Sequence, residues 1–201
     1  MSRTILHDAA LADGSSDSLR VGVSVAIADG RIEAIGANEE IDQKGAEVVD
    51  AGGAVIVPGM VDCHSHLTMQ GGSHWIVRGD DPPAVLRQVA RENAKRLVQA
   101  GVLWARDVGG PSPNGRPISL DVRDELSGKA GNPYIRVAGT WIGKTGYPSH
   151  AREASSWGHE QAGRIERGMP ADLVLVHGDP LSDARALWRV WAVYQRGTRV
   201  A

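Results

Sequence analysis

The sequence predicts an α/β protein, and three patterns along the chain carry this prediction. Residues 3–55 show stretches in which apolar and polar side chains alternate with the two-residue period of β-strands. Residues 54–138 then alternate short apolar runs with helical patterns, the order that is typical of βα units with a parallel sheet. From residue 171 short apolar runs separated by turns return, so strands flank the βα region on both sides.

The first of these segments predicts a small antiparallel β unit. Its clearest strand contains alternating apolar positions at Leu19, Val21, Val23, Val25 and Ile27. Asp29-Gly30 follows, a pair that accepts the positive φ angles of a tight hairpin, and residues 31–35 form the returning strand. Residues 47–50 begin another short strand.

The middle segment alternates strands with helices. The apolar run 54–57 predicts a strand buried on both faces, as in a parallel sheet. Pro82-Pro83 marks the start of a helix, and Gly101 caps its C-terminal end. The remaining elements follow in chain order: a strand at 102–105, a helix from Ile118 to Leu126, and strands at 134–138, 173–176 and 190–194.

Composition and charge exclude several classes of protein. Lys and Arg number 22 against 24 Asp and Glu, a formal net charge of −2 without a long like-charge run, so we expect no nucleic-acid partner. No apolar run reaches the ~18 residues of a membrane helix, and the opening residues lack the apolar core of a signal peptide. A single cysteine, Cys63, excludes an intrachain disulfide. We therefore expect a cytoplasmic protein without a membrane partner.

The strongest local signal is the pair His64 and His66, which the sequence places at the end of a buried strand. Because side chains two residues apart on a strand point to the same side, both imidazoles can bind one divalent metal ion. The carboxyl edge of a parallel sheet is also where α/β proteins bind their ligands. The alternative is a pair of surface histidines with ordinary hydrogen-bond partners.

The residues around this pair resemble the signature strand of the amidohydrolase superfamily. Residues 57–67, VPGMVDCHSHL, match its form P-G-h-(I/V)-D-x-H-x-H, where h is apolar. Three further motifs of the same family have similar counterparts in the same order. The N-terminal strands are matched in two stretches, ADGRIEAIG at 28–36 and VVDAGGAVIVPG at 48–59. The other two motifs are matched by GVLWARDVGG at 101–110 and GRIERGMPADLVLVHGDPL at 163–181. The segment at 101–110 is similar to the second strand of the imidazolonepropionase-like or prolidase-like branch.

The resemblance implies a metal-dependent hydrolase of carbon–nitrogen bonds, in non-peptide amides, cyclic amides or dipeptides. It also implies a (β/α)8 (TIM) barrel domain, here 56–162, and a small β-sandwich formed by both chain ends, here 1–55 and 163–201. His64 and His66 match the family's first-strand metal ligands. Zinc is the expected divalent metal and a small-molecule amide the expected substrate.

The middle segment is too short for a complete barrel. Such a barrel takes ~250 residues, whereas residues 56–162 hold about three βα units, so we expect a partial (β/α)8-type barrel that lacks its central part. The family's later ligands, a Lys or Glu, two His and a general-base Asp, have no counterpart in this sequence, and no catalytic residue is assigned. Two alternatives therefore stand beside the hydrolase: an inactive, internally deleted remnant, and a metal- or partner-binding protein completed by another subunit, including a homo-oligomer.

Two further residues are candidates for contacting a substrate. His150 lies in a stretch that resembles the T-x-G-G-H loop of prolidase-like members; the alternative is a solvated loop histidine. Asp107 ends the second strand of the βα segment and either faces the mouth of the sheet or accepts backbone N–H groups. His74 lies on the loop after the first strand and can approach the site, and Cys63 is expected to be a small buried residue.

Overall fold

The structure of the protein, a computed structural model, describes residues 3–71, 77–112, 116–139 and 165–201. In these residues the chain divides into two units. One unit takes residues 3–60, 99–101 and 165–201, and the other takes residues 61–71, 77–98, 102–112 and 116–139. No helix in this part of the chain is long and apolar enough to span a membrane.

The first unit is built around one eight-stranded sheet, which contains strands from both chain ends. Its strands are β1 (Arg3–Leu11), β2 (Arg20–Ala28), β3 (Arg31–Ala37), β4 (Glu47–Asp50), β5 (Val55–Pro58), β9 (Leu173–Val176), β10 (Val190–Gln195) and β11 (Thr198–Arg199). Their order across the sheet is β11-β10-β9-β5-β1-β2-β3, and β4 pairs with β1.

Strands β2 and β3 form the antiparallel hairpin that the Asp-Gly pair predicts. Asp29 and Gly30 have φ angles of 52° and 73°, and Ala28 pairs with Arg31 across the turn. A two-residue turn with both φ angles positive matches the right-handed twist of the strands that it joins. The hairpin predicted at this position is therefore confirmed.

The two chain ends share one apolar core. β9 pairs antiparallel with β5, Ile56 lies opposite Leu175, and all four residues of β9 are buried. The core gathers side chains from both ends, among them Leu6, Val25, Ile27, Ile56, Leu173 and Leu175. Each fully buried aliphatic side chain contributes about 1.5–3 kcal/mol to stability, so this shared core binds the two ends of the chain into one folded unit.

The second unit contains a three-stranded sheet and two α-helices. In chain order its elements are β6 (Met60–Ser65), α1 (Pro83–Gln99), β7 (Val102–Asp107), α2 (Ile118–Leu126) and β8 (Tyr134–Val137). The first residue of β6 and the last residue of α1 fall in the first unit. β7 lies between β6 and β8, and β7 and β8 run parallel. The strand–helix alternation predicted for this part of the sequence is therefore confirmed.

The helices of the second unit bury their apolar faces with β8. Leu86, Ala90 and Ala94 of α1 join Val122 of α2 and Ile135 of β8 in one cluster. Ion pairs also link the helices, Arg87 to Asp121 at 2.7 Å and Arg91 to Glu125 at 2.6 Å. Because partly exposed pairs of this kind contribute only ~0.2–1 kcal/mol each, the apolar cluster is the larger stabilising term.

The sequence-based assignment of residues 54–57 to the parallel sheet is wrong. This apolar run forms β5, which pairs with β1 and β9, and the separate strand β6 begins after Gly59. β6 is largely exposed rather than buried, with Val61 42% accessible, because in the described residues it has a neighbouring strand on one side only. Cys63 is likewise exposed, which corrects the expectation of a small buried residue.

Candidate metal site

His64 and His66 stand at the carboxyl end of β6. His64 is the penultimate residue of the strand, and His66 directly follows its last residue, Ser65. The centroids of the two imidazole rings are 5.3 Å apart, and the ring planes meet at 76°. His64 is exposed and His66 is half-buried. The two residues singled out as metal ligands are thus neighbours at the end of one strand.

The separation of these rings fits two ligands of one metal ion. With zinc–nitrogen bonds of ~2.0–2.1 Å and tetrahedral angles, two coordinated imidazoles have ring centroids about 5 Å apart. The 5.3 Å between the rings of His64 and His66 agrees with that value. Imidazole nitrogen is also a ligand that zinc binds readily. The pair therefore fits half of a tetrahedral zinc site.

A hydrogen bond to the backbone determines which ring nitrogen of His66 carries the proton. Its Nδ1 lies 2.7 Å from the carbonyl oxygen of Gly109. Since a carbonyl oxygen can only accept, Nδ1 carries the proton and donates it, and the lone pair of the neutral ring resides on Nε2. Metal-binding histidines commonly donate their second nitrogen to a carbonyl in this way. His66 is thus arranged to bind a metal through Nε2.

Asp107, the last residue of β7, is fully buried. Its Oδ2 accepts the backbone N–H of Leu67, and its Oδ1 accepts the backbone N–H of Gly109, both at 2.9 Å. Burial raises the pKa of the Asp107 carboxyl to about 6, and the two N–H donors oppose that rise. Of the two roles weighed for Asp107, acceptor of backbone N–H groups is the one that this geometry fits.

Sequence reasoning missed Asn93, which fixes the loop after β6. Its Nδ2 donates to the carbonyl oxygens of Leu67 and Met69, both at 2.9 Å. Asn93 shares the face of α1 that carries the buried residues Leu86 and Ala90. A polar side chain on an otherwise apolar helix face is the sequence signal that points to such a contact.

A small pocket adjoins His66 within the second unit. Its volume is about 230 Å³, and its lining includes His66 from the strand end and Asn93, Arg96 and Leu97 from α1. Small-molecule sites usually measure ~300–1,000 Å³, so this pocket suits a small chemical group rather than a whole substrate. Arg96, which lines the pocket together with His66, adds a positively charged residue to this wall of the pocket.

The other histidines considered for the site, His150 and His74, lie outside the described residues. Among the residues that the structure describes, no three His, Cys, Asp or Glu side chains are grouped so that they could hold a metal ion. Within that part of the chain, the candidate site therefore consists of two ligands, His64 and His66.

Comparisons with known sequences find a short but close match. No protein-family model matches the chain. An allantoinase of Escherichia coli O1:K1 / APEC is 49% identical over 53 residues, which are 26% of this chain and 11% of the allantoinase. The match thus spans only about a tenth of the length of the curated relative.

Solved structures match over much more of the chain. A Xaa-Pro dipeptidase with bound methionine aligns with a TM-score of 0.79 and 13% identity, over 98% of this chain and 99% of that chain. An amidohydrolase aligns with a TM-score of 0.57 and 22% identity, over 83% of this chain and 40% of that chain. These likenesses confirm the predicted fold class, α/β with a partial (β/α)8-type barrel and a small β unit formed by both chain ends. The chain thus resembles the amidohydrolase superfamily in its four sequence motifs, in the 53 residues aligned with an allantoinase, and in its fold.

Proposed function

We propose that this chain is a metal-dependent hydrolase of carbon–nitrogen bonds by descent, with His64 and His66 as its metal ligands. The observation that carries the proposal is the ring pair at the end of β6, with centroids 5.3 Å apart and Nδ1 of His66 donating to Gly109. The likeness to an Xaa-Pro dipeptidase favours dipeptides as substrates, beside the non-peptide and cyclic amides that the motifs suggest.

Each described residue of the site has a chemical role in this proposal. Nε2 of His66 and the ring of His64 hold the metal, and zinc is the first choice because it binds imidazole readily. A divalent metal supplies a Lewis acid that polarises a carbonyl group and lowers the pKa of water. Arg96, in the pocket beside His66, offers a cation to a substrate carboxylate, as the free end of a dipeptide would require.

The number of ligands limits what the isolated chain can do. A catalytic zinc takes about three protein ligands and keeps one open position, whereas the described residues supply two. His150 and His74 are our candidates for a third ligand. Positioned acid–base catalysis contributes about 10²–10⁴-fold to the rate, and the sequence offers no counterpart of the family's general-base Asp. We therefore expect negligible turnover by the chain alone.

A zinc titration and an amide panel test the proposal. The wild-type chain, the His64→Ala/His66→Ala double variant and a His177→Ala control are titrated with Zn²⁺ by calorimetry. His177 is an exposed histidine of the first unit, so its removal leaves the candidate ligands intact. We expect zinc binding by the wild type and the control and none by the double variant. Equal zinc binding by all three chains would refute the assignment of His64 and His66.

The same three chains are then assayed with dipeptides, N-acyl amino acids and cyclic amides in the presence of Zn²⁺ or Mn²⁺. We expect all three chains to hydrolyse these compounds no faster than the background reaction without protein. Hydrolysis by the wild type that is absent from the double variant would support the proposed hydrolase function. It would also contradict our expectation that two ligands are too few for turnover.

A second candidate function is a metal-binding protein that another subunit completes. The observation in its favour is the exposure of β6: in the described residues the sheet of the second unit has three strands, with β6 and β8 at its two edges. Mass measurement in solution with and without Zn²⁺ separates this function from the first. A zinc-dependent dimer with turnover supports subunit completion, and a monomer at all zinc concentrations excludes it for copies of this chain.

A further inference from the structure

Asp107 is connected to His66 by a short chain of hydrogen bonds. Its Oδ1 accepts the N–H of Gly109, and the carbonyl oxygen of the same glycine accepts Nδ1–H of His66 at 2.7 Å. Its Oδ2 accepts the N–H of Leu67, the residue that follows His66. Asp107 therefore fixes two parts of the backbone: Leu67, which follows His66, and Gly109, whose carbonyl oxygen accepts the hydrogen bond from the His66 ring.

The backbone at the end of β7 completes the arrangement. The N–H of Val108 donates to the carbonyl oxygen of Ser65 at 2.9 Å, so the segment that contains Asp107 is tied directly to the end of β6. Gly109 has a φ angle of 114°, which residues with a side chain rarely adopt. In this conformation the N–H of Gly109 donates to Asp107, and its carbonyl oxygen accepts from His66. Both hydrogen bonds therefore depend on the same backbone geometry of Gly109.

We propose that Asp107 is a positioning residue that sets the tautomer and orientation of His66 through Gly109 and Leu67. The inference rests on the proposed function for the identity of His66 as a metal ligand. A carboxylate suits this place because both of its oxygens accept, whereas an amide accepts at its oxygen and donates at its nitrogen. The complete burial of Asp107 also keeps water from competing for the two N–H groups.

The chemical consequence concerns the nitrogen that is presented to a metal. With Nδ1 protonated, the lone pair lies on Nε2, the atom through which His66 would bind. If Gly109 moves, Nδ1 loses its acceptor and the ring exchanges between its two neutral tautomers. Changes to such supporting groups typically weaken metal affinity by about 10–100-fold. Asp107 would thus act on the metal without contacting it.

The test compares wild type with Asp107→Asn and with Ile135→Val, a control change in the core of the same unit that lies outside this hydrogen-bond chain. The ¹⁵N chemical shifts of the His66 ring report its tautomer directly, in the metal-free protein at about pH 8, where an ordinary histidine is neutral. We expect the Nδ1–H form in wild type and in Ile135→Val, and a mixture of both forms in Asp107→Asn. Loss of stability alone would not change the tautomer as long as the variant stays folded.

Competition with a chelator then measures zinc affinity, which we expect to fall about 10–100-fold in Asp107→Asn and to stay unchanged in Ile135→Val. An unchanged Nδ1–H tautomer in a folded Asp107→Asn would overturn the inference. If that variant does not fold, the wild-type spectrum decides, because a predominantly Nε2–H ring would also overturn it. A tautomer change in a protein that binds no zinc would support the role of Asp107 and refute the proposed function.

Discussion

Replacement of Leu175 by alanine tests whether both chain ends depend on one core. Leu175 lies in β9 between Ile56 of β5 and Ala192 of β10, and its side chain is fully buried. Transfer of a leucine side chain from water contributes about 1.5–3 kcal/mol, and the cavity left by Leu175→Ala adds to this loss. We expect the variant to lose about 3 kcal/mol, a large part of the ~5–15 kcal/mol that stabilises a typical domain.

Urea denaturation measures the loss, and Leu181→Ala is the matched control. Leu181 follows β9 in sequence but is 50% exposed, so the same substitution there should cost less than about 1 kcal/mol. Amide hydrogen exchange locates the effect. In Leu175→Ala we expect faster exchange at the buried residues Leu6 and Val25 of the N-terminal strands as well as in β9, since these residues share one core. Unchanged protection of Leu6 and Val25 would refute the shared core.

Two further predictions concern charge and metal. The pKa of Asp107 is about 6 in the folded protein against 3.8 for a free carboxyl. The Asp107 carboxyl therefore loses its proton at a lower pH in the unfolded chain than in the folded protein. The free energy of unfolding should fall by about 3 kcal/mol as the pH rises from about 4 to 6. Asp107→Asn should remove this part of the pH dependence of urea unfolding, and the same slope in both proteins would contradict the prediction. Because the described residues supply two ligands, dialysis against a mild chelator should remove zinc from the wild-type chain. Stoichiometric zinc after dialysis, measured by atomic absorption, would instead reveal further ligands, and His74 and His150 would be the first to replace.

Local sequence patterns predicted the regular elements of the fold well. Helix α1 follows from its apolar period between Pro83 and Gly101, and the β2–β3 hairpin follows from Asp29-Gly30. Both signals lie within a few residues of the structure that they specify. The separation of β5 from β6 was not predictable in this way, because it depends on the pairing of β5 with β9, a strand from the far end of the chain.

The candidate site shows the same division between local and distant information. The spacing of His64 and His66 indicated a metal ligand pair, because two alternate strand positions share one side. The contacts that hold the loop after β6 come from elsewhere in the chain: Asp107 accepts the N–H of Leu67, and Asn93 donates to the carbonyl oxygen of Leu67. The sequence can mark Asp107 and Asn93 as polar residues in need of partners, but it does not identify Leu67 as the partner of both, because these bonds join different elements.

The pairing of β5 with β9 has a consequence for how the protein folds as it is synthesised. The two strands are neighbours in the sheet but are separated by most of the chain, including all the elements of the second unit. A nascent chain therefore displays an unpaired edge on β5 until β9 has left the ribosome, and such edges are prone to intermolecular association. Contacts this distant in sequence also slow folding, because the entropy of closing a long loop opposes their formation. Efficient production of the native sheet should thus depend on translation reaching β9 before β5 meets another chain.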